Sequence, residues 1–189
     1  MPLLPVPYTG QFAVAEANPL SKSAERRQEE QKRSQARRRL SHDQCAIRDM
    51  TMDDLARVLE IEWAAFAVPY EERYFLAILQ REHYFAYVAV DMEDSVMGYL
   101  TLKLRSNWVE IQSVAVALES RGLGVGRRLL ETASSVATAY EANIRLHVSV
   151  WNHHAMRLYK SLGFQPSKWL FDYYAVEEED AIEMHRLWK

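Results

Sequence analysis

Three of the chain's six glycines, Gly122, Gly124 and Gly126, fall within five residues. They follow an apolar run at 114–118 and precede Arg127-Arg128-Leu129-Leu130. That order predicts a strand running into a glycine-rich turn that opens a helix. Glycine allows positive φ and close approach by a ligand, so successive N–H groups can converge on an anion. The helix N-terminus adds its dipole, and Arg121, Arg127 and Arg128 add charge. A phosphate or pyrophosphate is the natural ligand. The segment is not a P-loop, because no Gly-Lys-Ser/Thr follows. Nor is it the dinucleotide fingerprint, which needs glycine or alanine where Leu129 stands. A turn used only for compactness is the competing reading.

Charge divides the chain in two. Residues 1–44 hold eight Lys/Arg and five acids, a formal +3, and the remainder holds 15 and 21, a formal −6. Four prolines in the first twenty residues predict a flexible start, and 21–40 is charged with no face to bury. The division expected is a flexible, basic N-terminal extension over 1–44 and one folded domain over 45–189. The triple arginine 37–39 suits an acidic partner such as ribosome or RNA, or is simply a solvated tail. One cysteine, Cys45, excludes an internal disulfide framework. No apolar run approaches the roughly 20 residues of a membrane helix, and no basic start leads into an apolar core as in a secretory signal. A cytoplasmic protein without membrane partners is the expectation.

The folded part alternates strands and helices. Strands are expected over 45–50, 84–91, 96–104, 108–117, 143–151, 171–176 and 181–188, and helices over 51–66, 71–81, 127–140 and 152–162. Thr51 offers an N-cap, Pro69 breaks the first helix and Gly163 ends the last. Leu55, Leu59, Glu62 and Phe66 mark one face of the first helix. The order βααβββαβαββ implies an α/β domain with a mixed sheet.

The glycine segment resembles the GNAT acetyltransferase superfamily. Arg121-Gly-Leu-Gly-Val-Gly126 matches that family's pyrophosphate loop, Arg/Gln-x-x-Gly-x-Gly/Ala. Downstream, Leu146-His-Val-Ser-Val-Trp-Asn152 and Ala155-Met-Arg-Leu-Tyr159, with Gly163-Phe164, resemble its last conserved block. Upstream, Ile47 to Leu55 resembles its opening strand and helix. The resemblance implies a GNAT-type mixed sheet of about seven strands flanked by about four helices, with a splay between the fourth and fifth strands. It implies acetyl-coenzyme A as cosubstrate, held by Val114, Val116, Arg121, Gly122, Leu123, Gly124, Val125, Gly126, Arg127, Asn152 and Tyr159. No metal is implied, and His147, His153 and His154 fit no usual zinc spacing.

Within the superfamily the chain is most similar to protein N-terminal acetyltransferases. Phe66-Ala-Val-Pro-Tyr70 resembles the substrate loop Phe-Pro-Val-x-Tyr of NatE-type enzymes, with Ala67 where they carry proline. Tyr173-Tyr174 matches their paired tyrosines, and Glu179-Asp180-Ala181 resembles NatA-type and RimI-like enzymes. Phe66, Val68, Tyr70, Tyr173 and Tyr174 are thereby implied to grip the substrate N-terminus.

Acetyl transfer needs a neutral amine, an oxyanion stabiliser and a proton for the leaving thiolate. An α-amine has a pKa of about 8, so a modest base acting through water suffices, whereas a lysine amine near 10.4 needs a stronger one. His147 matches the NatE-type base, Glu110 on the neighbouring strand is the second candidate, and Tyr159 is the implied acid. Acetylation of protein or peptide N-termini is therefore expected, with a ribosome or auxiliary subunit as possible partner of the extension, and no DNA. The alternatives are a GNAT acting on lysines or small amines, and a non-catalytic acetyl-coenzyme A-binding or RNA-associated module.

Overall fold

The structure, a computed structural model, describes residues 45–176 and 178–188. The extension expected over 1–44 lies outside the described residues. Eleven elements follow in the expected order. They are β1 (Ala46–Asp49), α1 (Leu55–Ala65), α2 (Glu72–Leu79), β2 (Tyr84–Val90), β3 (Val96–Arg105) and β4 (Trp108–Val116). Then come α3 (Val125–Ala139), β5 (Asn143–Ser149), α4 (His153–Ser161), β6 (Gln165–Tyr174) and β7 (Glu179–Arg186).

The strands form one seven-stranded sheet in the order β1-β2-β3-β4-β5-β7-β6. Every neighbouring pair is antiparallel except β4 and β5, which α3 connects as a parallel pair. That pair is registered only from Trp108↔Asn143 to Glu110↔Arg145. Beyond Glu110 the two strands are no longer paired, although β4 runs on to Val116 and β5 to Ser149. This is the expected splay, and it leaves a slot in the middle of the sheet.

Alternation along the strands divides the core in two. Tyr99, Val88 and Ala115 pack with Leu55, Val58, Ile61, Phe75 and Ile78 of α1 and α2. Their neighbours Leu100, Ala89 and Val114 face the other way, onto Leu129, Leu130 and Ala133 of α3 and Ala155 and Tyr159 of α4. Two helices therefore cover each face, as period-2 strands with two apolar faces require. The first helix is entered through a 3-10 turn at Met52–Asp54. There the Asp54 carboxylate accepts from the Thr51 N–H at 2.8 Å and pairs with Arg48 at 2.8 Å.

Among the boundaries that differ from expectation are the starts of α3 and β6. Helix α3 starts at Val125, so Gly126 lies inside its first turn and Gly124, at φ +85°, is the residue before it. Strand β6 starts at Gln165, six residues early. It is the outer strand and is mostly exposed, so no buried face imposed an alternation on 165–170. Its pairing with β7 also shifts register between Pro166 and Lys168 and between Leu170 and Tyr174.

Candidate active site

Strand β4 leaves the splay, passes through a 3-10 turn at Leu118–Ser120 and enters the glycine turn. Gly122 and Gly124 both take positive φ, at 78° and 85°. A Cβ added at Gly124 would meet nothing within 4 Å, so the turn presents its backbone to open space. Arg121 reaches back, its Nε donating to the Val116 carbonyl at 3.2 Å. Arg127 Nη2 donates to Ser161 Oγ at 2.8 Å, tying α3 to α4.

These groups line a cavity of about 360 Å³. Val116, Arg121, Gly122, Gly124, Val125, Gly126, Arg127 and Asn152, all singled out from the sequence, stand around it. Leu123 instead packs against the core, and Val114 and Tyr159 are buried away from solvent. Ser120, His154, Arg157, Leu158 and Ser161 also line the cavity, and sequence reading had not selected them. Positions 154, 157, 158 and 161 recur at helical spacing from the Asn152 cap, which is the signal that could have found them. Asn152 Oδ1 accepts from the Ala155 N–H at 3.0 Å, so this side chain caps α4. The cavity thus combines a glycine turn, a helix N-terminus and several cations, a donor set suited to a pyrophosphate.

Tyr159 is wholly buried, and its hydroxyl has no hydrogen-bond partner among the described residues. Burial raises its pKa, so the phenol keeps its proton. An orphaned buried donor is costly, and a sulfur or oxygen of a bound thioester is a chemically suitable acceptor. The cradle at Gly124 and this donor both fit acetyl-coenzyme A.

A second group of residues lies along the same sheet. His147 on β5 is nearly buried and faces two partners. Its Nδ1 lies 3.1 Å from the Tyr173 hydroxyl and its Nε2 lies 3.5 Å from Glu183 Oε2. Burial is the largest influence and pushes the imidazole below its ordinary value, against Glu183 and Glu110 and with Arg145. Glu110 and Arg145 form the last registered pair before the splay, 3.4 Å apart. Glu110 acts on His147 through its field. Tyr174 is buried with its ring edge-on to Tyr173 at 5.1 Å between centroids.

The segment between α1 and α2 brings aromatic walls. Phe66 and Tyr70 are buried and Val68 is half-buried. Tyr70 stacks on Tyr74 at 3.7 Å and 8°. Glu62, 1% exposed, anchors the loop from beneath. Its Oε1 accepts from the Tyr70 N–H at 2.8 Å, and its Oε2 accepts from the Tyr99 hydroxyl, itself 2.8 Å from Ser113 Oγ. Burial, against the Tyr70 and Ser113 hydrogen bonds, pushes this carboxyl up to about 8. Sequence reading had put Glu62 on the apolar stripe of α1 and assigned it no role; an acid on a buried stripe was the signal.

A mixed sheet splayed beside a glycine anion cradle defines an acyl-carrier-dependent transferase architecture. Residues 55–164 match the acetyltransferase (GNAT) family, and the chain belongs to that family. It is 30% identical over 154 residues to the N-alpha-acetyltransferase of Saccharolobus solfataricus, covering 74% of this chain and 91% of that one. It is 31% identical over 147 residues to the N-terminal acetyltransferase A complex catalytic subunit NAA10 of Arabidopsis thaliana, covering 74% and 76%. Among solved structures it resembles the ribosomal-protein-S18-alanine N-acetyltransferase of Escherichia coli, at TM-score 0.68 and 26% identity, covering 75% and 92%. No described helix is long and apolar enough to cross a membrane.

Proposed function

We propose that this chain transfers an acetyl group from acetyl-coenzyme A to the α-amine of a protein or peptide N-terminus. The observation that carries this reading is the parting of β4 and β5 beyond Glu110, in a sheet that also carries an anion cradle after β4, a buried phenol on α4 and a titratable histidine on β5. The relatives named N-alpha-acetyltransferase and N-terminal acetyltransferase A catalytic subunit support the choice of an α-amine. So does the base itself, because an imidazole is strong enough for an amine of pKa about 8 and weak for a lysine near 10.4.

The cosubstrate supplies an acetyl thioester. Val114, Val116 and the glycine turn from Arg121 to Arg127 hold its carrier, with Asn152 beside them. Phe66, Val68, Tyr70, Tyr173 and Tyr174 hold the substrate N-terminus. As the amine nitrogen bonds to the acetyl carbon, His147 takes its proton through an intervening hydroxyl or water. The Glu110 carboxylate stabilises the resulting imidazolium. The carbon–sulfur bond then breaks, and the Tyr159 hydroxyl gives its proton to the departing sulfur. Burial suits Tyr159 to that role, because it keeps the phenol protonated until the thiolate forms.

Steady-state turnover of acetyl-coenzyme A with free-N-terminus peptides tests the assignment. His147→Ala should lower kcat by about a hundredfold or more, with the KM for acetyl-coenzyme A changed less than about threefold. A kcat that survives the substitution moves the base to Glu110.

A further inference from the structure

We propose that Asp180 is a positioning residue for the substrate N-terminus: it holds the bulge in β6 that turns Tyr173 onto the His147 side of the sheet. Its kinetic consequence rests on the N-terminal acetyltransferase reading, and goes beyond it in giving a role to a residue on the opposite face.

The pairing of β6 with β7 defines the bulge. Leu170 stands opposite Ala181, and Tyr174 stands opposite Glu179. Phe171, Asp172 and Tyr173 therefore share the single opposing residue Asp180. Strict alternation from Leu170 would put Tyr173 and Tyr174 on opposite faces of the sheet. Their rings instead lie together, 5.1 Å between centroids, and the Tyr173 ring is 4.9 Å from that of His147. The departure from alternation falls at Asp172, whose φ of +48° lies in the left-handed region. A bulge re-aims side chains in this way.

Asp180 acts from behind. His147 is opposite Glu183, so Ala181 and Glu179 share the His147 face, while Ile182 and Asp180 point the other way. Trp169, opposite Ile182, lies on that far face as well. There the Asp180 carboxylate uses both oxygens. Its Oδ1 accepts from the Asp172 N–H at 2.9 Å, and its Oδ2 accepts from the Trp169 indole N–H at 2.8 Å. The first bond holds the left-handed residue itself, whose N–H meets a side chain instead of a strand partner. The second fixes β6 just before the bulge. The Asp180 carbonyl accepts from the Val150 N–H at 3.1 Å, immediately beyond the end of β5. One residue thus spans the bulge and is tied to the strand that carries His147.

A left-handed aspartate is unfavourable by itself and persists where its surroundings hold it. Without the Asp180 acceptors, Asp172 relaxes and Tyr173 turns away from His147. The cavity at the glycine turn is lined by other residues. The loss therefore falls on the peptide and spares the coenzyme.

Steady-state kinetics with a free-N-terminus peptide, together with the nuclear Overhauser contact between the Tyr173 and His147 rings, test the assignment. Asp180→Leu should raise the peptide KM at least about tenfold and abolish the ring contact. The KM for acetyl-coenzyme A should change less than about threefold. Asp180→Asn keeps one acceptor oxygen and loses the other, and should raise the peptide KM by about threefold. In a Tyr173→Ala background either substitution should add less than about twofold, because its effect passes through the missing ring. A general loss of stability would instead add in full. If Asp180→Leu does not fold, Asp180→Asn carries the same comparison. A peptide KM unchanged in the folded Asp180 variants would overturn the proposal, as would full additivity with Tyr173→Ala. So would a Tyr173–His147 contact that survives in folded Asp180→Leu. A wild type that acetylates no N-terminus would count against the function reading alone, since the ring contact is read without turnover and still decides the positioning.

Discussion

At the scale of single residues, protonation decides the behaviour. Burial holds His147 below its ordinary value, and as the proposed base it must be neutral to act. The amine titrates at about 8 and the imidazole below about 6.5. The logarithm of kcat/KM should therefore rise with slope one between these values and with slope two below the lower one. His147→Ala should keep slope one throughout; a wild-type profile with a single slope would remove His147 from the proton path. Tyr159 is a sharper case. Its hydroxyl is buried without a partner among the described residues, so Tyr159→Phe removes a group whose desolvation costs about 1–3 kcal/mol. The variant should melt at or above the wild-type temperature and yet lose kcat, an outcome that a purely structural tyrosine would not give. Glu62 behaves in the opposite sense. Its carboxyl is pushed up to about 8, while in the unfolded chain it titrates near 4.3. Between those values the folded protein holds a proton that the unfolded chain has released, so stability falls as pH rises through that window. Thermal melts of Glu62→Gln against wild type should show that fall flattened; parallel curves would mean that Glu62 is ionised in the fold.

At the scale of elements, glycines separate structure from binding. Gly98 on β3 sits where a Cβ would come within 2.7 Å of the Ala115 carbonyl and 3.3 Å of Leu129. Gly98→Ala should therefore destabilise by about 1–3 kcal/mol, as overpacking does, and show in the melting temperature. Gly124 has open space at its Cβ and φ +85°. Gly124→Ala bears only the backbone cost of about 1–2 kcal/mol and puts a methyl into the proposed phosphate cradle. It should raise the KM for acetyl-coenzyme A more than it lowers kcat. The turn was legible because glycine, helix start and arginines are all local signals. The element order was legible for the same reason, since each helix carries an apolar stripe and each inner strand a buried run. Strand β6 was not, because an exposed outer strand has no face whose burial imposes a period. The Glu183–His147–Tyr173 cluster was equally hidden. Its members come from β7, β5 and β6, and only cross-strand register brings them together. Glu62 was visible as a position, but not as a clamp, because its partners Tyr99 and Ser113 lie on distant strands.

At the scale of the whole molecule, one sheet with helices on both faces carries a slot between β4 and β5, where their pairing ends. The formal −6 of residues 45–189 suits the proposed substrate, a cationic N-terminus. The alignment with the archaeal enzyme takes in 74% of this chain and 91% of that enzyme's length. We expect residues 45–189 to retain peptide acetylation within about threefold in kcat/KM, and loss of turnover on removing 1–44 would give the extension a role in catalysis. The proposed reaction turns on the identity of the amine. Its most direct test offers one peptide bearing both a free α-amine and an internal lysine, then maps the transferred acetyl group by fragmentation mass spectrometry. The acetyl group should lie on the N-terminal nitrogen, with an N-terminally blocked copy of the peptide left unreacted. Acetyl on the lysine side chain, at equal speed in the blocked peptide, would contradict it.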